Sequence, residues 1–163
     1  MGIRKTLGSY DSPYIISLRN LIKTQSKETV ASWCLTYCEE VILPIFETYC
    51  PADKRPHRAL AASQAWFAGT MKLPEVKDII LNQCHATARE LEQKPAAQAA
   101  ARACGQVASC CHIPLHALGL AFYGTAAIAY DRLGVDQGPE IYEQVAAEEC
   151  EKMEVALRAI MQN

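Results

Sequence analysis

Residues 96–131, AAQAAARACGQVASCCHIPLHALGLAFYGTAAIAYD, decide the fold. Between Ala103 and Tyr130 there is no Asp, Glu, Lys or Arg, and most side chains are small. A bilayer span needs about 20 apolar residues in one piece, whereas Gln106, His112, Pro114 and His116 interrupt this run. Proline lacks a backbone N–H and crowds the preceding turn, so it is tolerated in a helix's first turn and not in its interior. The run therefore reads as two buried helices, at about 95–111 and 114–133, with SCCHIPLH (109–116) turning between them. The first is apolar except for Gln98, Arg102, Gln106 and Ser109, which share one narrow stripe at helical spacing. Gly119 and Gly124 let the second approach its neighbours closely. These two helices are expected to form the centre of the domain.

The other prolines extend the pattern. Six of the eight (Pro13, Pro56, Pro74, Pro95, Pro114 and Pro139) stand near the start of an apolar periodic run, and a seventh run opens at Ser26, a plausible N-cap. The spacing predicts helices over about 13–24, 27–50, 55–68, 74–93, 95–111, 114–133 and 139 to the end. Pro44 would kink the second, Asp53 would cap the third, and Gly69 and Gly134 are natural left-handed stops. No stretch alternates with a period of two, so no sheet is expected. The fold class is all-α: a single-domain bundle of about seven helices, mostly antiparallel neighbours, over 13–163, preceded by a tail at 1–12.

Composition narrows the function. A chain of 163 residues with net charge −2, 50% apolar and 21% charged residues is ordinary for a soluble domain, and bulk charge gives no sign of nucleic-acid binding. Ser9, Tyr10, Asp11, Ser12 and Pro13 interrupt any secretory apolar segment at the N-terminus, so a cytoplasmic location is expected, with no membrane partner. The eight cysteines (34, 38, 50, 84, 104, 110, 111 and 150) include no C-x-x-C pair and read as buried reduced thiols.

Chemistry-bearing residues gather around the central helices. His112 and His116 have the i, i+4 spacing of a zinc pair, but Pro114 places them on different elements, so zinc is the weaker reading and no cofactor is expected. His116, Tyr123 and Tyr130 recur every seven residues, with Asp131 beside them. They could form an aromatic interface stripe or one wall of a polar pocket. On the last helix Glu149 falls within the apolar face and needs a partner; His116, His112 or Arg102 is the first choice. Asp78, Asn82, His85 and Arg89 read as a solvated face. Phosphate-loop, nucleophile-elbow, H-E-x-x-H and di-iron signatures are absent, which favours binding over catalysis. Cysteine–histidine chemistry at Cys110 or Cys111 with His116 stays open.

Charge is asymmetric. Residues 136–154 hold seven acids (136, 140, 143, 148, 149, 151 and 154) against Lys152, whereas residues 1–27 hold five basic residues against Asp11. An acidic helix of this kind can dock on a basic partner surface, with Glu140, Glu143, Glu151 and Glu154 as the candidate contacts.

The segments RPHRALAASQAWFAG (55–69), CHATAREL (84–91), residues 96–131 and YEQVAAEECEKMEVALRA (142–159) together resemble bacterial immunity proteins of the immunity-protein-five-like family, over roughly residues 13–160. The family pattern has histidines at the positions of His85, His112 and His116 and a glutamate at that of Glu149, while relatives often lack the thiols of SCCH. The resemblance implies an inhibitor that binds and blocks a cognate bacterial toxin, in the setting of bacterial competition or a toxin–antitoxin pair. The alternatives are a small-molecule or metal-binding helical domain, possibly enzymatic, using a His/Tyr/Glu cluster, and an oligomerising scaffold.

Overall fold

Each proline that opens a helix does so for want of an N–H to satisfy, and the computed structural model, which describes residues 3–161, follows that punctuation. The helices are α1 (Pro13–Lys23), α2 (Lys27–Tyr49), α3 (Arg55–Phe67), α4 (73–89), α5 (Pro95–Ala108), α6 (120–133) and α7 (Pro139–Met161). No strand occurs among the described residues. Of the expected tail and final helix, residues 1–2 and 162–163 lie outside the described residues.

Local signals act largely as read. The Ser26 hydroxyl accepts from the Thr29 N–H at 3.1 Å, and Asp53 Oδ1 accepts from the Arg55 N–H at 3.0 Å. Gly69 and Gly134 take φ of 77° and 72° where α3 and α6 end. At α1 the cap differs: the Ser12 hydroxyl takes the Ser9 N–H instead of one from the helix.

Three expected boundaries are corrected. The fourth helix ends at Arg89, not 93, because residues 90–94 turn back toward Pro95 through bonds such as Lys94 N–H to the Leu91 carbonyl. The fifth gives way after Ala108 to a 3₁₀ turn, Ser109–Cys111. The sixth does not start as an α-helix at Pro114. Ile113 is extended (φ −133°, ψ 113°), as a residue before proline prefers, and Pro114–Leu118 is a second 3₁₀ turn. The SCCHIPLH stretch is thus two tight turns, with the Lys27 ammonium donating to the Cys111 carbonyl at 3.2 Å.

Wide π-helical turns alter the register of three helices, at Cys38–Ile42, Ile79–Cys84 and Leu120–Gly124. The first answers Pro44. Without a proline N–H the α pattern cannot continue, and the Leu43 N–H reaches back five residues to the Cys38 carbonyl.

The centre is α5, with Ala96, Ala97, Ala99, Ala100, Ala101, Ala103, Cys104, Gly105, Val107 and Ala108 buried. Around it pack α3, α4, α6 and the second half of α2. By length and composition α2 could cross a bilayer, but just over half of its apolar window is covered within the fold. It buries Trp33, Ile42 and Phe46 completely or nearly so, each burial stabilising by about 1.5–3 kcal/mol. Trp33 Nε1 donates to the Met153 carbonyl at 2.9 Å, joining α2 to α7. Residues 3–12 lie along α6: Leu7 is buried and its N–H bonds the Phe122 carbonyl at 3.1 Å. Seven of the eight cysteines are buried.

Glu149 is buried, at 3% exposure, but not beside a histidine. Its Oε1 accepts from Arg132 Nη1 at 2.6 Å and Lys152 Nζ at 2.9 Å, so the expected pairing with His116, His112 or Arg102 is corrected. Arg132 closes α6 just where that helix meets α7, and Lys152 lies one turn along the same helix. Burial alone would raise the Glu149 pKa; the hydrogen bonds and charges of Lys152 and Arg132 outweigh it and hold the carboxyl below its ordinary value.

Two outcomes follow from this packing. Glu149→Gln should lower stability at pH 7 by about 1–3 kcal/mol, the usual worth of hydrogen bonds to a charged group. Because the folded pKa is depressed, that stability is present above the unfolded value of about 4.3 and is lost as pH falls through the folded pKa; denaturation curves of parent and variant should converge in that acid range. At Gly119, an added Cβ would lie 2.2 Å from Gln106 Cβ, so Gly119→Ala should cost about 1–3 kcal/mol. In a double-mutant cycle, Gln106→Gly should relieve part of that cost.

Candidate functional site

The polar stripe of α5 is the part its neighbours leave uncovered, and adjoining cavities run along it. One, of about 280 Å³, is lined by His85 and Arg89 from α4, Arg102 and Gln106 from α5, and Tyr123 from α6. A second, of about 410 Å³, shares Gln106 and Tyr123 and adds His116, Leu115, Phe122 and the N-terminal residues Thr6 to Tyr10 except Leu7. A third, of about 150 Å³, shares Arg102 and is bordered by Arg4, Lys5, Glu92, Gln98 and Tyr130.

Two glycines seat the polar groups. The His85 ring lies against the α5 backbone at Gly105, where a Cβ would stand 2.5 Å from Cε1 and 2.9 Å from Nδ1. Gln106 is wedged against Gly119 in the same manner. Burial first, and then the charges of Arg89 and Arg102, pull the His85 pKa below the ordinary histidine value. His85 therefore belongs to this groove and not to a solvated face. The π turn Ile79–Cys84 rotates it and Arg89 away from Asp78 and Asn82, which bond each other at 2.6 Å.

The residues expected to form one polar pocket are divided. His116, Tyr123 and Tyr130 all line the run of cavities along α5, and the Tyr130 hydroxyl donates to the Arg4 carbonyl. His116 Nδ1 is covered and has no hydrogen-bond partner among the described residues. His112 is exposed and meets His116 only across a separate, mostly apolar cavity of about 220 Å³ with Cys111, Val76 and Ile80. Asp131 accepts from the Tyr49 hydroxyl at 2.9 Å, and Glu149 is held by Arg132 and Lys152. The His/Tyr/Glu cluster is thus not assembled.

For metal or thiol chemistry the arrangement is unfavourable. Among the described residues no three His, Cys, Asp or Glu side chains converge to hold a metal ion. Cys110 and Cys111 are 0% and 1% exposed, out of reach of a substrate; burial pushes the Cys111 thiol pKa up, while a hydrogen bond with Cys34 holds that of Cys110 below its ordinary value.

The acids of α7 also divide. Glu143 accepts from the Tyr14 hydroxyl and Glu154 from the Ser17 hydroxyl, both fastening α1 to α7, and Arg158 lies 3.8 Å from Glu154. These two contact candidates thus already carry a bond within the fold, Glu143 while remaining exposed. Glu140 and Glu151 remain exposed, joined by Glu148, at i, i+8 and i+11 on one solvent face.

Sequence reasoning missed His85, Arg89, Arg102 and Gln106 as one group. The available signals were the α5 stripe and the glycines at 105 and 119, which mark close approach.

No curated protein and no solved structure matches this chain. A family model described as "Imm-5 like putative immunity protein" matches residues 20–156, most of the sequence from α1 to α7. The chain belongs to the Imm-5 like family.

Proposed function

We propose that this protein is an immunity protein of the cytoplasm that neutralises a cognate bacterial toxin by stoichiometric binding, without turnover. The family match over residues 20–156 carries this reading. The surface we assign to the contact is the solvent face of α7 formed by Glu140, Glu148 and Glu151. Within residues 136–154 the one basic side chain, Lys152, is committed to Glu149, so the face presents uncompensated negative charge. Such a face steers association with a cationic toxin surface and fixes its register. Glu143 and Glu154, beside it on the same helix, hold α1 in place.

The test is growth protection. A partner captured from the native host on the tagged full chain should arrest growth when produced alone, and co-production of the parent protein should restore growth. Glu148→Lys/Glu151→Lys should keep the parent melting temperature while weakening partner binding about 10–100-fold, as expected for charge reversal at an electrostatic contact. Equal affinity would move the contact off α7, and a captured partner that never arrests growth would defeat the immunity reading.

A further inference from the structure

The immunity reading makes no use of the groove along α5, where two arginines border one cavity. Three of the eight arginines are ion-paired among the described residues: Arg55 with Asp53 and Glu90, Arg132 with Glu149, and Arg158 with Glu154. Arg89 and Arg102 have no ion pair within 4 Å among the described residues, although both border the same cavity of about 280 Å³. The acid next to Arg89 in sequence, Glu90, is held by Arg55 at 2.7 and 3.2 Å. Glu92 borders only the neighbouring cavity, with Arg4, Lys5 and Arg102.

We infer that this pocket binds a phosphate monoester, with the phosphoryl group between Arg89 and Arg102 and the organic group in the adjoining cavity. Two planar guanidinium forks match the several oxygens of a compact dianion. His85, the Gln106 amide and the Tyr123 hydroxyl supply neutral donors from three helices around the same space. Gly105 and Gly119 allow two of these donors to sit where they do, since a methyl group at either position would collide with His85 or Gln106. Beyond Gln106 and Tyr123 the pocket opens into the cavity of about 410 Å³, where Tyr10, Leu115 and Phe122 offer an aromatic and aliphatic wall. The Tyr10 and Phe122 rings are tilted at 58° with centroids 5.3 Å apart. A ligand with charge at one end and a ring at the other fits both halves.

Calorimetric titration of the full chain at low ionic strength, with inorganic phosphate and phenyl phosphate as probes, tests the assignment. Phenyl phosphate should bind about 10-fold or more tightly than phosphate, the gain expected from covering a ring. Arg102→Gln should weaken both probes by about 10-fold or more. Phe122→Ala should remove only the advantage of the phenyl group. As a readout independent of affinity, the NMR titration of the His85 ring should move to higher pH when phosphate saturates the pocket, because the anion offsets the two guanidinium charges. Glu148→Lys/Glu151→Lys should leave both probes unaffected, separating this site from the toxin contact. No saturable binding at millimolar probe overturns the proposal, as does binding unchanged in a folded Arg102→Gln protein or an unmoved His85 titration. If Arg102→Gln abolishes partner capture while neither probe binds the parent, the pocket is a protein contact and the phosphate assignment fails.

Discussion

The constraint on which the rest of the structure depends is the thinness of α5. A helix whose buried face is alanine, cysteine, glycine and one valine offers little side-chain volume, so its neighbours must bring their backbones close to exclude water. Close packing of this kind is sensitive to a single methyl group. It also limits what can occupy the remaining open stripe. With α3, α4, α6 and α2 drawn inward, the side chains they carry toward Arg102 and Gln106 have little freedom, and the groove inherits the rigidity of the core. His85 on Gly105 shows the coupling directly, since the same glycine that permits helix contact permits the imidazole to sit against the α5 backbone.

Helix register is the second determinant. A π turn inserts one residue beyond the α repeat and turns everything after it to another face. In α4 this separates Asp78 and Asn82, which stay on solvent, from His85 and Arg89, which enter the groove. Leading into α6, a tight 3₁₀ turn at Pro114–Leu118 is followed by a wide turn at Leu120–Gly124. The first overwinds and the second underwinds, so their offsets oppose. His116, Tyr123 and Tyr130 therefore still follow one line of cavities although the segment that carries them is not a uniform α-helix.

Much of the fold was legible because its punctuation is chemical and local. A proline without an N–H and a glycine at positive φ declare helix ends whatever packs around them; six of the seven helices were found from prolines, the sixth with its start misplaced at Pro114, and the second from the Ser26 cap. The interior turns were not legible. Only Pro44 announced one, and nothing comparable marks the wide turn in α4, so the regular-helix assumption placed His85 with Asp78 on solvent. Glu149 was legible as a conflict but not in its resolution: an acid within an apolar face is visible in a sequence, whereas Arg132 becomes its partner only through the meeting of α6 with α7. Glu143 and Glu154 look like surface charge for the same reason, because Tyr14 and Ser17 lie more than a hundred residues away in the chain.

Charge in this protein is sorted by what the packing needs. Carboxylates that hold elements together, Glu149 between α6 and α7 and Glu143 and Glu154 between α7 and α1, have partners within the fold. Those left over, Glu140, Glu148 and Glu151, share one face of α7. Two of the unpaired guanidinium groups, Arg89 and Arg102, border one concave pocket instead. With 16 basic against 18 acidic residues the formal net charge is only −2, so bulk charge conceals both. An exposed convex acidic face can contact only something at least as broad as a helix, which suits a folded protein. Two forks, the half-buried Arg102 and the exposed Arg89, on the rim of a cavity of about 280 Å³ suit a group of a few atoms. The shapes, more than the signs of charge, are what separate a surface for a macromolecule from a site for a small anion.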